Sequence, residues 1–219
     1  MHPMIFCDFD GTITAVETFV AMFKAFAPDV SRQVLPQIYQ RQITLRQGVR
    51  QILESIPSRC YPDILDFTRS QPTRPGFIEF LDFLDSHQVP LVVVSGGLRG
   101  MVEVVLGDLI QRVLAIHAIE VNTSQEYLQI DSPYEAGTEM VAKVDVIKQY
   151  SNQDGEIHAI AIGDSLTDLN MALYAPTVFA RDRLAEYLNQ HQKAYIPWND
   201  FFDIRDHLMK MEEVPGSKF

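Results

Sequence analysis

Two aspartates stand one residue apart at the end of an apolar run, in Ile5-Phe6-Cys7-Asp8-Phe9-Asp10-Gly11-Thr12. Residues two apart in a strand share a face, so Asp8 and Asp10 enter one crevice while Phe9 turns away. Carboxylates that close repel each other unless a cation lies between them. Mg2+ takes oxygen ligands of this kind. A carboxylate nucleophile with an acid/base partner beside it is the chemistry such a pair can perform. Gly11-Thr12 then lets the backbone turn tightly near a ligand.

Three other pieces point the same way. Ser95-Gly96-Gly97 follows the run Leu91-Val92-Val93-Val94. A hydroxyl and glycine N–H groups at a helix N-terminus bind anions, which makes Ser95 and Gly96 a candidate anion site. No G-x-S-x-G surrounds Ser95, so it is not a nucleophile elbow. Gly163-Asp164 ends another apolar run, and Asp168 follows one helical turn later, which places both acids at the first turn of a helix. Asp164 completes the cation site begun by Asp8. Lys143 lies near the start of a helical segment, at the edge where strands end, whereas Lys148 lies too far along.

These pieces need a scaffold that brings strand ends together. Apolar, β-rich runs at 4–8, 90–95, 114–121, 157–162 and 177–180 alternate with helix-period segments at 76–87, 98–106, 140–150, 166–174 and 183–190. Near-continuous apolar strands separated by helices predict an α/β fold, a doubly wound parallel sheet covered on both faces. Ligands in such sheets bind beyond the carboxyl ends of the strands. A piece at 127–131 alternates and reads as a hairpin arm, and a last helix covers 200–211 ahead of a frayed tail at 214–219.

One region breaks the rhythm. Helix-period stretches at 17–26, 31–40, 45–54 and 61–69 contain no convincing strand and are punctuated by Pro28, Pro57 and Pro62. Sixty residues exceed any ordinary loop. We read 14–74 as a helical cap inserted after the first strand, and 1–13 with 75–219 as the α/β core. Phe19, Phe23 and Phe26 fall at near-helical spacing and read as cap core.

Composition narrows the partners. The chain of 219 residues carries 18 basic and 29 acidic side chains, a net charge of −11. That surface repels phosphate backbones, so nucleic acid is not expected. No apolar run approaches a membrane span, and no signal-peptide pattern is present. Two cysteines, Cys7 and Cys60, read as free thiols in a reducing cytoplasm. Cys7 alternates with Asp8 and should face the core, inert. The six histidines show no metal-ligand spacing.

The ordered set D-x-D-G-T, S-G-G, Lys and G-D-x-x-x-D resembles the haloacid dehalogenase-like phosphohydrolases, with a cap of the phosphoserine phosphatase kind. The segments FAPDV, GFIEFLDFL, PLVVVSGG, IGDSLTDLNMA, VFARDRLAEYL and IPWNDFFDIR are similar to the methionine-salvage phosphatases within that superfamily. The stretch YEAGTEMVAK before Lys143 departs from their pattern, which can be cysteine-rich here. The resemblance implies Mg2+-dependent hydrolysis of a small phosphate ester, 2-hydroxy-3-keto-5-methylthiopentenyl-1-phosphate, by a monomer or homodimer. It implies Asp8 as nucleophile and Asp10 as acid/base. Mg2+ would lie on Asp8, the Asp10 carbonyl and Asp164, and phosphate on Ser95, Gly96 and Lys143. Thr12 and Asp168 take supporting roles, and Glu17 in the cap contacts substrate. Hydrolysis of phosphoserine, or of another small metabolite's phosphate ester, is the alternative activity. A receiver-type phospho-acceptor also combines acids, a hydroxyl and a lysine, but is shorter and lacks a cap.

Overall fold

The computed structural model describes residues 2–153 and 156–212, so the tail at 214–219 lies outside the described residues. Seven strands form one sheet: β1 (His2–Cys7), β2 (Leu91–Leu98), β3 (Ala115–Asn122), β4 (Gln129–Asp131), β5 (Ile157–Gly163), β6 (Thr177–Ala180) and β7 (Ile196–Pro197). Their order is β4-β3-β2-β1-β5-β6-β7, parallel throughout except for β4, which runs antiparallel to β3. The piece at 127–131 is therefore a hairpin arm, as its alternation predicts. β7 was not expected. Two residues make no pattern, and Pro197 is tolerated because this strand closes the sheet edge.

Successive side chains of the central strands enter two cores. Met4, Phe6, Val92, Val94, Ala159 and Ala161 face one side, and Ile5, Cys7, Leu91, Val93, Ile160 and Ile162 the other. The second face is covered by α5 (Phe77–His87), α6 (Arg99–Leu106) and α10 (Phe201–Glu212), through Phe80, Leu84, Val102 and Phe201. The first is covered by α7 (Lys143–Gln153), α8 (Leu169–Tyr174) and α9 (Asp182–Gln190), through Val146, Ile147, Met171 and Leu188. Each large apolar side chain buried this way contributes about 1.5–3 kcal/mol. The apolar runs are continuous because both faces of β1, β2 and β5 are covered. Among the described residues no helix is long and apolar enough to cross a membrane.

Four helices lie between β1 and α5: α1 (Thr18–Phe26), α2 (Pro28–Tyr39), α3 (Leu45–Leu53) and α4 (Tyr61–Arg69). Pro28 opens α2 at its first turn, where its missing N–H is no loss. Thr44 and Gln47 close a capping box on α3. The chain leaves and returns side by side. Thr14 bridges Thr73, the Ala15 N–H donates to the Pro72 carbonyl at 2.9 Å, and the Arg74 N–H donates to the Ile13 carbonyl at 2.8 Å. Phe23 is buried against Met22 and the sheet-side core, while Phe19 and Phe26 pack partly buried on it, so this trio is core as its spacing predicts. Gly100 lets α4 approach α6, because a Cβ there would strike the Tyr61 hydroxyl.

Candidate active site

Sheet register builds the site. Cys7 pairs with Val93 on one side and Ile162 on the other, so β1, β2 and β5 are in step. The residues that follow, Asp8, Ser95 and Asp164, emerge at neighbouring positions. The Asp8 N–H still bonds the Ile162 carbonyl at 2.9 Å, after which the Phe9 carbonyl accepts from the Thr12 and Thr14 N–H groups and the chain turns. Gly11 sits at φ +86°, and a Cβ there would lie 2.6 Å from Asp164 Oδ2. Only glycine fits that turn. The Thr12 hydroxyl then donates to Asp164 Oδ1 at 2.8 Å.

Lys143 opens α7 and is 1% exposed. Its Nζ donates to Asp8 Oδ1 at 2.5 Å and to Asp168 Oδ1 at 2.6 Å. The other oxygen of Asp168 accepts from the N–H groups of Asp164 at 3.1 Å and Ser165 at 3.0 Å. Both Asp168 oxygens are thus engaged, and the residue ties the lysine to the turn after β5. That turn is a single 3₁₀ turn, Leu166–Asp168, ahead of α8, where the spacing predicts continuous helix. Lys148 is exposed and pairs with Asp145, away from the cluster.

Carboxylate oxygens of Asp8, Asp164 and Asp168 lie within 4.8 Å of one another, all buried. Burial, and then repulsion from Asp168, pushes the Asp8 carboxyl well above the usual range despite Lys143. The same two causes push Asp164 up to about 7. Burial works against the Lys143 charge, but Asp168 and Asp8 outweigh it and hold the ammonium above its usual value. With all three carboxylates ionised and one ammonium between them, two negative charges remain to be balanced. Hard oxygen donors with a residual charge of that size fit a divalent ion such as Mg2+. Asp8 and Asp164 are the side chains left to hold it, since Asp168 is engaged.

Asp10 is placed differently. Its Oδ1 accepts from the Thr18 N–H at 2.6 Å and its Oδ2 from the Phe19 N–H at 3.1 Å. The carboxylate caps α1, whose own N-cap residue, Glu17, makes no side-chain cap bond. Burial raises Asp10 to about 6, with the Thr18 and Phe19 N–H groups pulling the other way. The Asp10 side chain therefore stands outside the carboxylate cluster, and its backbone carbonyl is what it can offer a metal. Glu17 is exposed beside Asp10, whose proton its charge helps retain.

The serine-glycine segment corrects one expectation. β2 runs on through Leu98, with a register slip between Val94 and Leu98, and α6 begins only at Arg99. Ser95 and Gly96 thus belong to an irregular strand end, not to a helix N-terminus. Ser95 is fully buried and its Oγ accepts from the Gly97 N–H at 3.0 Å. A Cβ at Gly96 would meet nothing within 4 Å, while one at Gly97 would lie 3.6 Å from the Phe19 ring. Cys7 Sγ bonds the Asp8 carbonyl at 3.1 Å, and burial pushes its thiol up, so it is not a nucleophile.

One contributor is invisible in the spacing. Arg74, on the return limb of the insertion, donates to the Thr12 carbonyl at 3.0 Å and to the Gly11 carbonyl. Sixty residues of sequence separate the partners, and a lone arginine before Pro75-Gly76 carries no signal.

Comparison with known proteins is consistent with this arrangement. Residues 5–173 match the family model of haloacid dehalogenase-like hydrolases. A 2-hydroxy-3-keto-5-methylthiopentenyl-1-phosphate phosphatase from Microcystis aeruginosa is 52% identical over 211 residues, covering 95% of this chain and 99% of its own. One from Bacillus cytotoxicus is 31% identical over 220 residues, covering 98% and 99%. Among solved structures, a phospho-aspartyl intermediate analogue of phosphoserine phosphatase aligns with a TM-score of 0.69 at 16% identity, covering 95% and 98% of the two chains. A substrate-bound phosphoserine phosphatase complex aligns at 0.71 and 16%, covering 94% and 98%.

Proposed function

Since the chain belongs to the haloacid dehalogenase-like hydrolases and is a phosphatase, we propose that Asp8 is its nucleophile, Asp10 its acid/base and 2-hydroxy-3-keto-5-methylthiopentenyl-1-phosphate its substrate. The observation that carries the catalytic assignment is Lys143, buried and shared between Asp8 and Asp168 at 2.5 and 2.6 Å, with Asp164 beside them. Identity of 52% across 95% of the chain supports the substrate. The pathway is then methionine salvage.

The Asp8 carboxylate attacks phosphorus, a P–O bond to Asp8 forms, and the bond to the leaving alkoxide breaks. Asp10 gives that alkoxide its proton. Water then attacks the aspartyl-phosphate, Asp10 takes a proton from it, and the bond to Asp8 breaks to release phosphate. Lys143 pins the nucleophile through Oδ1 and screens its charge from the phosphate dianion. Ser95 and the Gly96 N–H hold phosphate oxygens at the irregular end of β2. Mg2+ on Asp8, Asp164 and the Asp10 carbonyl, when bound, supplies further charge neutralisation. Thr12 and Asp168 hold Asp164 and Lys143 in place.

Residues 14–74 act as the cap domain, with 1–13 and 75–219 as the hydrolytic core. The Thr14–Thr73 bridge, where the chain leaves and returns, supports these limits. Glu17, exposed at the start of α1, contacts the substrate body from this side. A small-molecule ester rather than nucleic acid is the partner at a net charge of −11, and the free thiols Cys7 and Cys60 fit a cytoplasmic location. The deciding measurement is initial phosphate release with Mg2+ from the salvage ester, phosphoserine and sugar phosphates, repeated in EDTA. Preference for the salvage ester, lost in EDTA, is the expected result. Preference for phosphoserine moves the substrate, and Mg2+-independent hydrolysis removes the metal.

A further inference from the structure

Arg74 belongs to no part of the mechanism above, yet its guanidinium reaches the catalytic turn. Nε donates to the Thr12 carbonyl at 3.0 Å, one Nη to the Gly11 carbonyl, and the other to the Asn199 carbonyl at 3.4 Å. The residue is 9% exposed. Its Cζ lies 5.3 Å from the centroid of the Trp198 ring, and Arg181 Cζ lies 5.2 Å from the same centroid while Arg181 donates to the Asn199 carbonyl at 2.6 Å. Its own N–H bonds the Ile13 carbonyl. A single side chain thus joins three segments: the return limb of the insertion, the Gly11–Thr12 turn and the turn after β7.

A guanidinium is the group that can span successive carbonyls in this way. Its donors form a rigid planar fork, whereas an ammonium is a point charge on a flexible stem. Both carbonyls are bonded to Arg74, which holds the turn in the orientation it adopts. In that orientation Thr12 Oγ1 donates to Asp164 Oδ1 at 2.8 Å, and Gly11 lies so close that a Cβ would meet Asp164 at 2.6 Å. Asp164 is a side chain proposed for the metal.

We propose that Arg74 is a positioning residue that fixes the Gly11–Thr12 turn and, through the Thr12 hydroxyl, the Asp164 carboxylate in its metal-binding pose. It touches neither substrate nor reacting atoms. This rests on reading Asp164 as a metal ligand, and so its test follows Mg2+ binding separately from turnover. The Trp198 ring beside the guanidinium adds a cation–π contact, and the place of Arg74 on the return limb links this positioning to the seat of the insertion.

The test compares wild type with Arg74→Lys, Arg74→Gln and Thr12→Val. Thermal unfolding is followed across a Mg2+ titration without substrate, and p-nitrophenyl phosphate hydrolysis is measured alongside. Arg74→Lys should raise the Mg2+ needed for half-maximal stabilisation by about tenfold and lower kcat by a similar factor, by loss of one well-placed charge-assisted contact. KM for the aryl ester should stay within about twofold. Thr12→Val should do the same, and the double variant should be little worse than either, because both act through one contact. A purely structural role would lower the metal-free melting temperature and leave the Mg2+ midpoint unmoved, which overturns the proposal. Effects that multiply in the double variant overturn it, as does failure of both Arg74 variants to fold. A wild type that Mg2+ does not stabilise overturns it too. A wild type that Mg2+ stabilises, with the expected shift in the variants, but that hydrolyses no ester keeps the positioning role and removes the catalytic reading.

Discussion

Lys143 is bonded to two carboxylates at nearly equal distance, 2.5 Å to Asp8 and 2.6 Å to Asp168, and the two should respond oppositely to the same isosteric change. Asp8 receives one side-chain bond, from Lys143, and suffers repulsion from Asp168 and Asp164. In Asp8→Asn the amide oxygen can turn to Lys143 and the repulsion disappears, so metal-free stability should stay within about 1 kcal/mol of wild type. Asp168 accepts from Lys143 on one oxygen and from two backbone N–H groups on the other. An asparagine there has one acceptor for two sets of donors. Whichever way it flips, its NH2 faces a donor in a fully buried site. Breaking a buried, hydrogen-bonded charge pair from one side costs about 3–5 kcal/mol. Relief of repulsion on Asp8 and Asp164 offsets part of that, which leaves about 3 kcal/mol. In a chain of this length the melting temperature should fall by about 6–12 °C. The assay is denaturant unfolding in EDTA, with phosphate release in Mg2+ run in parallel. Asp8→Asn should be stable and inactive, while Asp168→Asn should be unstable and retain weakened turnover. Equal destabilisation by the two variants, or substantial turnover by Asp8→Asn, would refute the reasoning.

Asp164, held at about 7 by burial and Asp168, is raised above its unfolded value near 3.8. Its contribution to metal-free stability is therefore full below that value and lost as pH rises through about 7. The proton and Mg2+ compete for the same carboxylate, so the Mg2+-induced rise in melting temperature should grow between pH 6 and pH 8. A rise that is flat with pH, or that keeps its slope in Asp164→Asn, counts against this assignment. Asp10, at about 6, is protonated below that value, so turnover of an alkyl ester should fall about tenfold per pH unit above it wherever proton donation limits the rate. An aryl ester, whose leaving group needs no proton, should show a flatter profile, and identical profiles would remove Asp10 as the acid. Gly11→Ala should lose about 1–3 kcal/mol through its left-handed backbone and should weaken Mg2+ binding, because the new Cβ meets Asp164 at 2.6 Å. Unchanged Mg2+ titration in that variant would show the turn to be softer than the geometry implies.

The parallel sheet was legible because strands buried on both faces leave unbroken apolar runs, as in Val92-Val93-Val94 and Ile160-Ala161-Ile162. The convergence of Asp8, Asp164 and Lys143 was legible for a related reason: each lies next to an element whose end is fixed by the sheet, so position along the chain determines position in space. The β2 end was misread because three residues, Ser95-Gly96-Gly97, suit an irregular strand as well as a helix cap, and only the pairing of Leu98 with Ile119 decides between them. A strand of two residues such as β7 has no period for a sequence pattern to show.

The harder losses are contacts made across the insertion. Asp10 reads as a second site carboxylate, yet its oxygens are held by Thr18 and Phe19, the first two residues of α1. Both oxygens of that carboxyl are thus oriented by the first turn of a helix of the insertion. Arg74 ties the opposite limb of the same insertion to Gly11 and Thr12. The two limbs therefore grip the D-x-D-G-T turn at Asp10 and at Gly11–Thr12, on either side of one peptide bond. A displacement of the helices would act together on Asp10, the proposed acid/base, and on Asp164, the proposed metal carboxylate, through contacts between residues 8 to 63 positions apart in the chain. Such coupling is a property of where the insertion leaves and rejoins the sheet, and no local pattern of residues encodes it.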